Sequence, residues 1–387
     1  MSDTKLKLAI LSLSLTTVMS GAAISPALGA IAKEFSFAPA LLLKMIITLP
    51  AIMVILSSNF VFTKLVRQMH LKSVAVLGLF CFVLGGLGPA FVDNFYILLL
   101  FRAILGFGAG LLMPLSSSLI ALLFPDNEQA KMMSLATLSV SIMVVITVSL
   151  SGILASISWH LSFFIYSIGL ISLVLILLYL PKLRLDEKKV PFDKEDFFII
   201  LPYLLALSFY QIVFFNFTTN FSIVFSHIIS FSTIGIIMSL NGICSSLGAL
   251  MYERALLKLK QKIKYLGSFC FLIGFLFLSL ELKKLELLCA ILGTGFVGLG
   301  VGTCMPLFYS QISLKSKKIN IPKNMALAST ALFTGQFLSP IILDFFSHAF
   351  KIENIRAPFY VACSASLFLL FFMSVLKVSI VAKSGVK

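Results

Sequence analysis

The chain has 387 residues, 59% hydrophobic and 12% charged, whereas soluble domains carry roughly a quarter charged residues. So much apolar surface excludes an ordinary soluble globule, whose exterior must meet water, and fits a chain that crosses a bilayer repeatedly at about 20 apolar residues per crossing. A net charge of +15 would suggest nucleic acid in a soluble protein, but here the basic residues sit in short segments between apolar runs. Membrane topology and lipid headgroups account for them, and no nucleic-acid partner is expected.

The chain opens MSDTKLKLAILSLSL, two lysines before an apolar stretch, as in a secretory signal. The run continues to about Ala32, longer than a signal core, and predicts a retained first helix. Apolar runs then predict helices over 7–31, 41–63, 73–92, 95–123, 132–155 and 160–181. After the midpoint they predict 197–225, 230–252, 265–281, 286–312, 325–349 and 357–380, twelve in all. Backbone groups in hydrocarbon must pair internally, and no run alternates as a barrel strand does, so an all-α membrane protein is expected. PKLRLDEKKVPFDKEDF, near the midpoint, holds two prolines and many charges. It predicts a linker over 182–196 between a bundle at 1–181 and another at 197–387. With the N-terminus placed in the cytoplasm, 23 Lys and Arg residues fall on that side and six on the other. This asymmetry places both termini inside. The six cysteines lie in apolar runs without ligand spacing, and no metal or other cofactor is expected.

Residues 106–115 read GFGAGLLMPL and residues 298–307 read GLGVGTCMPL, an offset of 192. The same offset takes Met133 to Met325, Leu135 to Leu327, Ala136 to Ala328 and Thr137 to Ser329 without a gap. Such a match at half the chain length implies duplication, with both copies in the same membrane orientation.

With these motifs the chain resembles the major facilitator superfamily, in particular its bacterial drug-exporter-like members. The segment ISPALGAIAKEF is similar to the end of their first helix. RAILGFGAG matches the superfamily's Arg-x-x-x-Gly-x-Gly-x-Gly motif at Arg102, Gly106, Gly108 and Gly110. SWHLSFFIYSIG resembles the superfamily's Trp-Arg-x-x-Phe segment opening the sixth helix, with His160 at the position of the Arg, and TALFTGQFLSP resembles the eleventh helix of many bacterial members. The loop between the second and third helices departs from the family's Gly-x-x-x-Asp-Arg-x-Gly-Arg-Lys: Thr63, Arg67, His70 and Leu71 replace Gly, Asp, Gly and Arg, and only Lys72 fits. Of the antiporter motif on the fifth helix only Gly152 remains. The resemblance implies two pseudo-symmetric six-helix bundles in the inner membrane, a monomer surrounded by lipid, a small-molecule substrate and a proton as possible coupling ion.

Arg102 lies seven residues into its helix, roughly 10 Å from one end. An intramembrane charge either lines a cavity, holding an anionic group or steering a proton, or braces the helices through carbonyls. Asp344 is the acid that falls clearly within an apolar run, and either couples protons or caps a neighbouring loop. Gln211, Asn216, Thr218, Thr219 and Asn220 crowd the seventh helix, with Asn241 on the eighth and Gln336 on the eleventh. These amides either face a cavity or bond between helices. Gly106, Gly108, Gly110, Gly298, Gly300 and Gly302 let helices approach and slide. No acid in the first helix argues against organic cations, and neutral or anionic solutes suit Arg102 better.

No nucleophile–base set, phosphate loop or dinucleotide fingerprint is present, and an enzyme is not expected. The leading expectation is an alternating-access carrier exporting small organic solutes. An uptake permease for a carboxylate or sugar derivative is the alternative, and a membrane sensor or scaffold a third.

Overall fold

The structure, a computed structural model, describes residues 3–184, 193–350, 354–376 and 378. The linker's middle, 185–192, lies outside the described residues, as do Lys351, Lys377, Lys383 and Lys387 from the charge asymmetry. The described residues are almost wholly helical. The first copy comprises α1 (Asp3–Val18), α2 (Leu28–Glu34), α3 (Ala40–Leu56), α4 (Phe62–Gln68), α5 (Leu71–Leu87), α6 (Phe95–Leu123), α7 (Asp126–Ala155) and α8 (Ile168–Tyr179). The second comprises α9 (Lys194–Phe225), α10 (Phe231–Leu259), α11 (Ile263–Ser279), α12 (Glu286–Lys315), α13 (Ile321–Ala349) and α14 (Ala357–Val375).

The 192-residue offset read from GFGAG and GLGVG runs through the helices. α5 and α11 differ by 192 at both ends, and α6 and α12 end at Leu123 and Lys315. α10 corresponds to α3 and α4 together, and α9 to α1 and α2 together.

Among the described residues ten helices, rather than the expected twelve, are long and apolar enough to cross a membrane. Two breaks explain the difference. The stretch Phe231–Ser279 is continuous through a short 3-10 turn at Lys260–Lys262, and its 49 residues would span about 74 Å at 1.5 Å per residue, too long for one crossing. Lys260, with φ of 50°, turns the chain between α10 and α11. The first apolar run, expected as one helix over 7–31, is interrupted instead. Gly21 leaves the helical region at φ −100° and ψ −86°, a tight 3-10 turn covers Ala22–Ala27, and Pro26 within it has no N–H to donate.

The chain forms two compact units, residues 1–188 with 218–239, and residues 189–217 with 240–387. In the first unit α5 packs on α6, and α6 on α3 and α1. The end of α9 belongs to this unit: Ser222 Oγ donates to the Pro26 carbonyl at 2.5 Å and accepts from the Gly29 N–H at 3.0 Å. Gly152 and Gly235 bring α7 and α10 together so closely that a Cβ on either would lie within 2.7 Å of the other's Cα. In the second unit α11 packs on α12 and α14, and Ile212, Leu343 and Val361 form a core between α9, α13 and α14.

Each copy ties the start of its first helix to the region where α6 passes into α7 or α12 into α13. Lys7 reaches Glu128 at 3.0 Å in the first unit. In the second, Lys317 Nζ donates to Asp193 at 2.7 Å, and buried Asp196 accepts from the Lys317 N–H at 3.0 Å and from Asn324 at 2.8 Å. The Lys317 ammonium holds the Asp193 carboxyl below its ordinary value of 3.8, and Asp193 raises Lys317 above 10.5. A depressed carboxyl stabilises the fold above the unfolded value and loses that as pH falls. A raised ammonium stabilises below its unfolded value and loses that as pH rises. The melting-temperature difference between wild type and Lys317→Ala is therefore expected to be constant from about pH 5 to 9 and to shrink below about pH 4. A difference that changes between those neutral limits would show that another group controls the contact.

Candidate functional site

Asn94 starts α6 by accepting from the N–H groups of Tyr96 and Ile97 at 2.9 and 3.2 Å, which sets where the helix begins and so where Arg102 lies. Arg102 is fully buried. Its Nε donates to the Ile46 carbonyl at 2.6 Å, one terminal nitrogen to Tyr166 Oη at 2.9 Å, and the other to the Ser20 carbonyl at 2.8 Å. Tyr166 passes the chain on, donating to the Met19 carbonyl at 3.2 Å. Met19 and Ser20 stand where α1 breaks and its carbonyls lose their helical partners. Arg102 and Tyr166 supply the missing donors, which is why an interrupted helix is tolerated here. Of the two readings of Arg102, bonding to carbonyls is what this geometry contains.

The GFGAG glycines alternate between neighbours. A Cβ at Gly106 would lie 2.6 Å from Pro50 Cα, and one at Gly110 2.7 Å from the Val54 carbonyl, both on α3. A Cβ at Gly108 would lie 2.5 Å from the Gly78 carbonyl on α5. The second copy repeats the pattern: Gly298 meets Asn241 and Gly302 meets Ser245 and Ala249 on α10, while Gly300 meets Gly267 on α11. Most of these obstacles are backbone and cannot rotate away. Gly106→Val and Gly302→Val are expected to cost about 1–3 kcal/mol or more, read as a lower melting temperature. Gly295→Ala, whose new methyl would sit 3.6 Å from Cys244 Sγ, is expected to leave it unchanged.

The second unit treats its polar residues differently. Asn216 Nδ2 donates to the Pro358 carbonyl at 2.5 Å, fastening α9 to the start of α14. Asn220, which falls in the first unit, donates to Thr219 at 3.1 Å. Gln211 and Gln336 are buried, at 5% and 3% exposure, yet neither amide forms a hydrogen bond among the described residues. They lie at the seam of α9 and α13. There Ser208 Oγ donates to the Ala331 carbonyl at 2.6 Å and Ser339 Oγ to the Ile212 carbonyl at 2.7 Å. Gly335 closes the approach: a Cβ there would stand 2.9 Å from Gln211 Cβ. Asn241, whose backbone packs on Gly298, is also buried, and its Nδ2 has no partner among the described residues. At the 192-residue offset the first copy has Met19, Val144 and Leu49 in these three places. The repeated architecture therefore does not need amides there. Asp344 is buried in α13, where it interacts with other groups of the protein.

Among the described residues no group of His, Cys, Asp and Glu has the arrangement of a metal site. A sequence model of the Major Facilitator Superfamily matches residues 10–315. The chain belongs to the major facilitator superfamily.

Two Bacillus subtilis (strain 168) relatives of this superfamily protein are the MFS-type transporter YhcA, 28% identical over 33% of the chain, and Multidrug resistance protein 3, 31% identical over 34%. The matches span about a quarter of each relative's length, 24% and 26%. Solved structures share the fold over nearly the whole chain. A D-xylose–proton symporter gives a TM-score of 0.77 at 15% identity, covering 96% of this chain and 97% of its own. A bacterial homolog of the human lysosomal transporter Spinster gives 0.68 at 13%, covering 97% and 96%.

Three residues of this transporter-family chain carry more than the sequence reading assigned them. Tyr166 completes the Arg102 network, and its signal, an aromatic among aromatics in SFFIYS, was indistinguishable from packing. Arg356, in the connection between α13 and α14, is buried at 2% exposure. It reaches the Leu278 carbonyl at 3.3 Å, the Leu280 carbonyl, and Glu286 at 3.2 Å, joining the α11–α12 connection to the start of α14. Tyr210 is a buried phenol whose hydroxyl has no partner among the described residues, wedged between Phe271 and Phe308.

Proposed function

We propose that this multi-pass membrane protein is a secondary active transporter that exports small, uncharged or weakly polar organic solutes by alternating access, with both termini at the cytoplasmic face of the inner membrane. The observation that carries the reading is the set of buried residues Gln211, Gln336 and Asn241: neither glutamine amide forms a hydrogen bond among the described residues, and there Asn241 Nδ2 has no partner either. Leaving such groups unpaired in a folded interior costs about 1–3 kcal/mol each, so they suit a place where a ligand supplies the partner. Arg102 is committed to Ile46, Ser20 and Tyr166. That removes the main reason to expect an anionic solute and leaves neutral donors and acceptors as the recognition chemistry. Export is supported by the drug-exporter-like ending of the first helix, ISPALGAIAKEF. Asp344, buried in α13, is the candidate for carrying a coupling proton.

The test is purified protein in liposomes under an imposed pH gradient, assayed against a panel of neutral, anionic and cationic compounds, with deletion and overexpression strains exposed to the same panel. Gradient-driven movement of neutral compounds, with susceptibility tracking expression, is expected. Movement restricted to anions or permanent cations would reject the solute class, and accumulation rather than extrusion would reject the direction.

A further inference from the structure

We propose that the connection between α10 and α11 is a binding surface for anionic lipid headgroups. Arg254, Lys258, Lys260 and Lys262 lie within nine residues there, and all four are exposed. None forms a hydrogen bond or ion pair among the described residues. Leu257 among them, and Leu250 and Met251 just before them, are 68%, 77% and 60% exposed. Cationic heads beside bare aliphatic side chains at the end of an apolar helix match the boundary of a bilayer, where headgroup phosphates meet acyl chains.

The duplication separates what the fold needs from what it does not. Lys264 lies 192 residues after Lys72, and the two do one job. Lys72 donates to the Leu177 carbonyl at 2.7 Å near the end of α8, and Lys264 to the Ser374 and Leu376 carbonyls at 3.0 and 2.8 Å at the end of α14. That lysine closes the bundle in each copy. The other four have Phe62, Val66, Gln68 and His70 as their counterparts, so no structural contact repeated between the copies calls for a cation there. The first copy has only Lys64 and Arg67 besides Lys72 in its connection. Charge concentrated in one copy, exposed and unpaired, fits phosphate-bearing lipid.

The experiment titrates the full-length protein, in neutral detergent, with dioleoyl phosphatidylglycerol or dioleoyl phosphatidylcholine and counts bound lipid by native mass spectrometry. The wild type is expected to retain phosphatidylglycerol preferentially. Arg254→Gln with Lys258→Gln, Lys260→Gln and Lys262→Gln should raise the half-saturating concentration at least about tenfold, without moving the lipid-free melting temperature. Lys258→Arg with Lys260→Arg and Lys262→Arg should bind as wild type, and Lys64→Gln with Arg67→Gln should change binding little. If the fourfold variant fails to fold, the single variants added stepwise should weaken binding in order. Equal retention of both lipids, undiminished binding after charge removal, or equal loss in the Lys64/Arg67 variant would overturn the proposal. So would displacement of the lipid by millimolar inorganic phosphate, which would assign the site to a free anion.

Discussion

Arg102→Met is expected to unfold the protein more readily, by about 3 kcal/mol or more, because it strands several buried acceptors at once. The Ser20 and Ile46 carbonyls lose their donors in an interior that water does not reach, and Tyr166 is left with Met19 alone. The break at Met19–Gly21 depends on those donors, so the damage should spread to the first helix and to everything packed against it. Arg102→Lys should recover only part of the loss. A single ammonium cannot address three acceptors in three directions as the planar guanidinium does. The measurement is the melting temperature in detergent set beside solute transport in liposomes. If Arg102 served the solute alone, stability would stay at the wild-type value and only KM would rise. A variant that melts as wild type while losing transport would therefore refute the bracing role.

The opposite pattern is expected at the seam of α9 and α13. Gln336→Leu and Gln211→Leu remove amides that no group among the described residues satisfies, and a leucine of similar volume suits a dry interior better. Stability should hold or rise. Transport should fall roughly tenfold for each hydrogen bond to the solute that is lost, the equivalent of about 1.4 kcal/mol. Asn241→Leu should behave likewise, since its packing against Gly298 runs through the backbone. Asn216→Leu is the contrasting control, because that amide is bound to Pro358 and its loss should lower stability. If the glutamine variants transport normally, the unpaired amides are not where the solute binds. A collapse in stability would mean that they satisfy groups within the fold.

Residues that bind the chain together and residues left over for a ligand looked alike in the sequence. Arg102, Asn216, Gln211 and Gln336 are all polar groups in apolar runs, and each admitted a cavity reading and a packing reading. Their sorting depends on partners far away in the chain: Ser20 and Tyr166 for Arg102, Pro358 for Asn216, and none among the described residues for the two glutamines. The burial of Arg356, in the connection before α14, was hidden for the same reason. A charge next to a proline in a short polar segment has the composition of a loop, and only the approach of Leu278, Leu280 and Glu286 buries it.

The linear order of residues was enough to determine the all-helical, membrane-spanning plan and its duplication. Bilayer thickness dictates the length of an apolar run, and a repeat is preserved in register, as the matching bounds of α5 and α11 display. Those are local or periodic properties. Tertiary structure alone decided that the first run breaks at Gly21, because a broken helix survives only where donors from other helices reach its carbonyls. It likewise decided which buried polar groups are already paired, since the energy of a polar side chain in a dry interior is set by the atom opposite it rather than by its neighbours in the chain.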